Sequence, residues 1–416
     1  MNKTRLYDLA YEFRNSKIWK QIFEEELFAV KLPKKTAGEN IAYCSIMGRN
    51  GEYKALAVYI GAEEFTSYRR ITANTADYMP SNMPELLVQD CIHCSIEQRD
   101  QFGPEELDEM KAYCKKAGIS FRAPFPQFTR FYPYCVPWKV SKASDWSAME
   151  TALTVINKLS EELKKDGKDV LGLRPIAVEL HNEAYAYGQL SLFDDPAAGD
   201  VTIPLYSIKN GNLITERIAL PPYTERPLPA PTQFNDISMA KLMRNKQKGV
   251  YQCEVIRFPE PVGGNPPYLP AMLMTVNGDG LMLHPVMSRK PMYDPDEMIN
   301  EFISALGDTY PKTIKVRTNE TKKLLDEFCR RAKIRLVETA ELDLLDEAID
   351  SMMDHMGYGY DEDEEGNDIG DMIEMLSTMT VEDIRMLPDM IVDQMLEAAE
   401  FFPPEIVKKI KKAKDR

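Results

Sequence analysis

The sequence has no uncharged apolar run long enough to cross a bilayer, so no membrane span is expected. Near its start, Arg5, Asp8, Glu12 and Arg14 interrupt any apolar stretch that could serve as a secretory leader. Cysteine is sparse: seven residues scattered over 416 do not make a disulfide framework and suit a reducing compartment. These absences together lead to the expectation of a cytoplasmic protein. Concentrated positive charge is missing too. A duplex-binding surface must displace counterions from phosphates with clustered Lys and Arg, so nucleic acid is not an expected partner.

Reactive constellations are equally scarce. The histidines are His93, His181, His284 and His355, and none has the Ser, Cys or Asp neighbours that mark a triad. Val262-Gly263-Gly264-Asn265-Pro266-Pro267 lacks the Lys and the following helix of a phosphate-binding loop, and reads as a turn. Cys91-Ile92-His93-Cys94 is a close group of metal-type ligands, but a structural zinc site needs a second pair. On a strand, Cys91 and Cys94 point to opposite faces, so buried sheet cysteines are the better reading. No catalytic residue, metal ligand or cofactor is assigned, and the balance leans away from an enzyme.

What is present is organisation. A chain of 416 residues exceeds one core and calls for two or three domains. Met110-Lys111-Ala112-Tyr113-Cys114-Lys115-Lys116-Ala117-Gly118-Ile119-Ser120-Phe121 is echoed by Leu325-Asp326-Glu327-Phe328-Cys329-Arg330-Arg331-Ala332-Lys333-Ile334-Arg335-Leu336. Phe28-Ala29-Val30-Lys31-Leu32-Pro33 is echoed by Glu254-Val255-Ile256-Arg257-Phe258-Pro259. The echoes suggest a diverged duplication of one α/β unit.

The spacing of apolar residues fills in that unit. Residues 6–23 have helical periodicity with a break near Asn15-Ser16, and 27–32 reads as a strand. Asn50-Gly51 between two β-prone runs, and Asn210-Gly211 between 203–208 and 213–220, are hairpin signals. Gly103-Pro104-Glu105-Glu106 opens a helix that Gly118 stops. A strand is expected at 88–96, a helix near 146–165 and a further strand at 176–180. The second copy has a strand at 253–258, a hairpin across Asn277-Gly278-Asp279-Gly280, and helices from Asp294 and from Thr321. Strands at 313–317 and 334–337 follow those helices.

The expected fold is α/β (α+β): two related mixed-sheet units of order hairpin-helix-strand-helix-strand, loosely ribonuclease-H-like, with a small C-terminal helical appendage. The expected divisions are 1–220, a Pro-rich linker at 221–235, a second unit at 236–350, an acidic linker at 351–369 and a helical tail at 370–416. A nuclease core of this kind needs carboxylates on its first strand and on a later one. Here those strands offer Ala29-Val30-Lys31-Leu32 and Val255-Ile256-Arg257-Phe258, so nuclease chemistry is not expected.

Two stretches stand out as binding candidates. Residues 122–139 interleave rings with cations, and Arg122, Phe125, Phe128, Arg130, Tyr132, Tyr134 and Trp138 could stack a planar ligand or dock a peptide. The alternative is a rigid loop packing its rings over the first sheet. The tail carries most of the net charge of −15, since residues 346–416 hold twenty Asp and Glu against seven Lys and Arg. Its methionines, Met372, Met375, Met386, Met390 and Met395, form an adaptable face that could engage another protein or fill an ordinary helical core.

Leu6-Tyr7-Asp8-Leu9-Ala10-Tyr11-Glu12-Phe13, with 27–30 and Ala57-Val58-Tyr59-Ile60-Gly61, resembles bacterial proteins catalogued as domains of unknown function. The region around Tyr268-Leu269-Pro270 and 324–334 looks like a companion family of the same status. The resemblance implies no catalytic residues. The leading expectation is a non-catalytic scaffold or protein-binding protein with an acidic, Met-rich tail as its contact. The alternative is an enzyme or small-ligand-binding protein with a site between the units near 122–139. A third idea is an acidic mimic of nucleic acid.

Overall fold

The computed structural model describes residues 3–24, 26–33, 40–51, 53–72, 88–173, 201–221, 228, 230–356, 376, 381, 384, 396 and 402–414. It divides into two compact units, Met1–Glu341 and Leu342–Arg416.

In the first unit, α1 (Lys3–Ser16) ends where Lys17 turns left-handed, and a single 3-10 turn, Ile18–Lys20, follows. Then come β1 (Phe28–Lys31), β2 (Ile41–Met47), β3 (Ala55–Ile60), α2 (Gly61–Thr72), β4 (Cys91–Glu97), α3 (Pro104–Ala117), β5 (Phe125–Phe131) and β6 (Trp138–Lys139). Next are α4 (Ala143–Asp166), α5 (Lys168–Leu171), β7 (Thr202–Lys209) and β8 (Asn212–Ala219). These strands form one sheet in the order β6-β5-β4-β3-β2-β1-β7-β8.

The central strands are buried on both faces because period two deals their residues to two cores. Ala42, Cys44, Ile46, Leu56, Val58, Ile92 and Cys94 face a core shared with α1 and α4. Tyr43, Ala57, Tyr59 and Cys91 face the opposite one, which Phe65 of α2 covers. Cys91 and Cys94 thus belong to different cores.

The same unit continues with α6 (Asp236–Leu242), β9 (Val250–Arg257), β10 (Ala271–Val276), β11 (Val286–Met287), α7 (Pro295–Leu306), β12 (Thr313–Val316), α8 (Asn319–Arg331) and β13 (Arg335–Glu338). Its sheet runs β11-β10-β9-β12-β13, with β12 parallel to β9 and β13 parallel to β12. Tyr251, Cys253 and Val255 of β9 pack under Met298, Phe302, Leu325 and Phe328. The hairpin past Asn277 is short: after a bridge between Val276 and Met282, β11 pairs over two residues.

The architecture is therefore mixed α/β, with two mixed sheets and helices. Both halves show the order hairpin, helix, strand, helix, strand, and β1 and β9 each have an antiparallel and a parallel neighbour. The later strands are placed differently. In the first half β4 and β5 add antiparallel beyond β3, and the place beside β1 goes to β7.

The echo around Cys114 and Cys329 has a local cause. In both, the amide of an Ile donates to the Cys carbonyl five residues back: Ile119 to Cys114 at 3.0 Å and Ile334 to Cys329 at 2.9 Å. Between them a left-handed residue, Gly118 (φ 69) or Lys333 (φ 53), closes a helix C-terminus of the Schellman kind. A left-handed residue followed by an apolar one is what such a cap favours, and both copies have it.

The two sheets are tied within this unit. Cys135 bridges to Tyr268, Val136 N–H donates to Pro267 O at 2.9 Å, and Leu269 N–H donates to Tyr134 O at 2.8 Å. Above them the buried Arg257 guanidinium lies 3.8 Å from the Tyr134 ring centroid and 3.3 Å from Glu320.

The second unit contains α9 (Asp343–His355) and α10 (Pro404–Lys414). Ile406, Ile410 and Ala413 on one face of α10 pack with Leu376, Ile384 and Phe402.

Candidate functional site

The aromatic segment 122–139 is strand, turn and strand, and its residues disperse. Arg122 is exposed. Phe125 is buried between Phe102 and Phe121. Phe128 points into the α1–α4 core between Tyr7 and Trp146. Tyr134 adopts φ 62 and lies under Arg257, while Trp138 is half-buried on β6 opposite Arg130. What the fold brings together is Arg130 and Tyr132, whose ring carries the Arg130 guanidinium at 4.5 Å and the Lys142 ammonium at 5.0 Å. Met372, Met375, Met386, Met390 and Met395 lie outside the described residues.

Around Arg130 stands a group that no local motif announces. Its Nη2 donates to Glu64 Oε1 and to Asp90 Oδ1, both at 2.7 Å, and its Nη1 donates to Phe131 O at 2.8 Å. Its Nε faces Asp145 Oδ2 at 3.4 Å. Side-chain exposure is 4% for Arg130 and 5% for Asp145, against 17% for Glu64 and 20% for Asp90. The latter two carboxylates therefore form the solvent side of the cluster.

Each member is placed by an element end. Glu64 lies in the first turn of α2, and the Ile60 amide that closes β3 donates to its Oε2 at 2.7 Å. Asp90 precedes β4, and its amide donates to Ser67 Oγ of α2 at 3.0 Å. Arg130 is near the end of β5, which runs antiparallel to β4, and Asp145 begins α4. Carboxylates at a helix start are favoured by the dipole, which suits Glu64 and Asp145 to those positions.

Burial pushes the Glu64 carboxyl up to about 8, with Asp90 and Asp145 adding to the rise and Arg130 opposing it. For Arg130 burial lowers proton affinity, but its three carboxylates outweigh that and hold it raised. Burial drives the Cys91 thiol upward, and Cys135 rises to about 11 by burial and the charge of Asp90. His93 is 1% exposed, receives or donates one hydrogen bond with Tyr53 at 3.0 Å, and is held down to about 3 by burial.

Other buried charges are paired in the same manner. Lys168 grips Glu26 at 2.5 Å, and Arg317 meets Glu254 at 2.5 Å. Glu254, the acid on β9, is thereby held by the residue that follows β12. All seven cysteines are buried and unpaired. Among the described residues no group of three His, Cys, Asp or Glu side chains has metal-holding geometry. No helix among them is long and apolar enough to cross a membrane.

No curated protein matches the sequence. Two solved structures of the HTLV-2 integrase catalytic core domain with magnesium are similar at 15% identity. The dimeric form covers 26% of this chain and 71% of its own, with a TM-score of 0.20. The trimeric form covers 40% and 82%, with a TM-score of 0.19, and at such scores neither likeness bears on function. The family models are more informative: residues 4–173 match the domain of unknown function DUF7309, and residues 238–353 match the domain of unknown function DUF6930. The chain thus carries two adjacent domains of unknown function, one spanning most of the eight-stranded sheet and the other the five-stranded sheet, neither with an assigned activity.

Proposed function

We propose that this protein is a non-catalytic scaffold that binds other proteins. The observation that carries this reading is β8. It is an eight-residue edge strand, paired among the described residues with β7 alone, and most of its side chains are exposed. The hairpin turn is the two-residue type with both φ values positive, 53° at Asn210 and 79° at Gly211. Lys209 and Asn212 are therefore the closing hydrogen-bonded pair, and alternation follows. Residues 212, 214, 216 and 218 bond inward, leaving the N–H and C=O of Leu213, Thr215, Arg217 and Ala219 aimed outward. Such a row is a template on which an extended segment adds as a further strand. The pairing of buried acids with arginine and lysine supports the same reading, because those groups act on one another.

The acidic, Met-rich tail is a second proposed contact for a protein partner, and we place the protein in the cytoplasm, away from membranes and nucleic acid. A photo-crosslinking residue at Thr215 tests the β8 reading in the full chain expressed in its own cell type. A defined protein adduct that Arg217→Pro abolishes is expected. The reading fails if Thr215 gives no more adduct than an equally exposed position on α6.

A second reading, an enzyme with its site near 122–139, is supported by Glu64. A partly exposed carboxyl that titrates near neutrality beside Asp90 and Tyr132 is the kind of group acid–base chemistry uses. Turnover of any substrate that disappears in Glu64→Gln would favour it over the scaffold.

A further inference from the structure

A strand added to β8 meets the side chains of β8 on two faces. Leu213 packs on the α1–α4 side and Ile218 on the α2 side, so 213, 215, 217 and 219 share the first face and 212, 214, 216 and 218 the second. Pro204 agrees with this phase: it has no N–H, and it stands opposite Arg217 in a pair that exchanges no hydrogen bonds. The two faces are not equally open. On the first, the Arg217 guanidinium is already engaged, donating from Nε to Thr202 Oγ1 at 2.8 Å and from Nη2 to Thr202 O at 2.5 Å. On the second, Ile214 is 37% exposed and Ile218 half-buried. The Glu216 side chain between them is 54% exposed, with Lys31 Nζ of β1 at 3.7 Å.

A second copy of β8 fits this edge poorly. In the antiparallel registers of greatest overlap, the copies pair about Glu216, about Arg217 or about Thr215. The first sets the Glu216 carboxylate directly opposite its own copy, and the second does the same with the Arg217 guanidinium; like charges directly opposite destabilise a sheet. The third places Ile214 opposite Glu216 twice over, with neither an apolar nor an ionic match.

Granted the strand-capture reading, we propose that β8 takes a heterotypic segment: an antiparallel strand with Lys or Arg opposite Glu216 and β-branched residues opposite Ile214 and Ile218. Such a strand sets an opposite charge across from Glu216 and covers the two isoleucines with apolar side chains. Thr or Ser opposite Thr215 adds a cross-strand hydroxyl pair. In the partner's own direction the pattern is β-branched, any residue, basic, Thr or Ser, β-branched. Main-chain hydrogen bonds supply the affinity, and this face supplies the choice of partner.

Two dye-labelled peptides, Thr-Val-Gln-Lys-Thr-Val-Leu and the same peptide with Glu in place of Lys, test this by fluorescence anisotropy on titration with the full chain. The Lys peptide should bind about tenfold more tightly than the Glu peptide, because the pair with Glu216 turns from attractive to repulsive. High salt should shrink that ratio. Glu216→Lys should invert the preference and Glu216→Gln should level it; if the first variant does not fold, the second decides. Arg217→Pro removes an outward N–H and should abolish binding of both peptides. Equal affinity of the two peptides for the wild type, abolished by Arg217→Pro, would overturn the charge pattern and leave strand capture standing. If neither peptide binds the wild type, the pattern and the strand-capture reading fall together. A chain that sediments as a dimer, and as a monomer when Arg217→Pro is introduced, would make a second copy the occupant and overturn the heterotypic segment.

Discussion

Replacing Arg130 by Met removes the guanidinium that Glu64, Asp90 and Asp145 share while keeping most of the side chain's volume. Taking one partner from a buried ion pair costs about 3–5 kcal/mol, because the remaining charge stays desolvated and unpaired. Here three carboxylates lose the cation they share, but Glu64 and Asp90 are about a fifth exposed and recover some solvation. We therefore expect a loss of about 4 kcal/mol at pH 8, a large part of the ~5–15 kcal/mol typical of a folded protein. With a urea m-value of about 3 kcal/mol/M, the unfolding midpoint of the unit should fall by about 1.3 M.

The deficit should also depend on pH in one direction. Without Arg130 the Glu64 carboxyl, already raised by burial, loses the cation that opposes the rise, so the folded state binds more protons than the unfolded one. Stability then falls as pH rises through that window, and the gap between variant and wild type should shrink from pH 8 towards pH 5. Urea unfolding followed by Trp fluorescence at both pH values measures this. A variant within about 1 kcal/mol of wild type at pH 8, or a gap that widens on acidification, would refute the reasoning.

Two substitutions probe the second sheet. Thr321 is fully buried and its Oγ1 accepts the Val255 amide of β9 at 2.9 Å, so Thr321→Val should cost about 1–3 kcal/mol in chemical unfolding by orphaning that N–H. Lys333 holds φ 53 where its counterpart is Gly118, so Lys333→Gly should raise stability by about 0.5–1 kcal/mol; a loss would mean the left-handed cap is not what the position requires.

Sequence periodicity reached the elements well and their partners less well. Asn210-Gly211 dictated a turn with two positive φ values, and β7 and β8 follow at the expected positions. The placing of Cys91 and Cys94 on opposite faces was legible for the same reason, since period two is a property of the strand itself. The helix echo around Cys114 and Cys329 was real, and both copies end in the same kind of cap, which local spacing encodes. Strand order is not encoded that way. Nothing in residues 91–97 says whether β4 adds beside β1 or beyond β3, because both edges offer the same backbone groups.

The candidate site was half legible. Arg130 and Tyr132 drew attention because they lie among rings, yet Phe125 and Phe128 serve two different cores. Glu64, Asp90 and Asp145 come from three other elements, 26 to 81 positions apart from one another, and each is at the end of a helix or strand where an acid is unremarkable. Only the antiparallel placing of β4 and β5 brings them to one guanidinium.

Residue-resolved hydrogen exchange on β8, with and without the crosslinked partner, reaches the central claim most directly. In the isolated chain the amides of Leu213, Thr215, Arg217 and Ala219 should exchange fast, while those of Ile214, Glu216 and Ile218 stay protected by β7. Binding should slow the first set to match the second. If the outward amides remain fast in the complex while protection appears elsewhere, β8 is not the docking edge and the account of this protein as a strand-capturing scaffold is wrong.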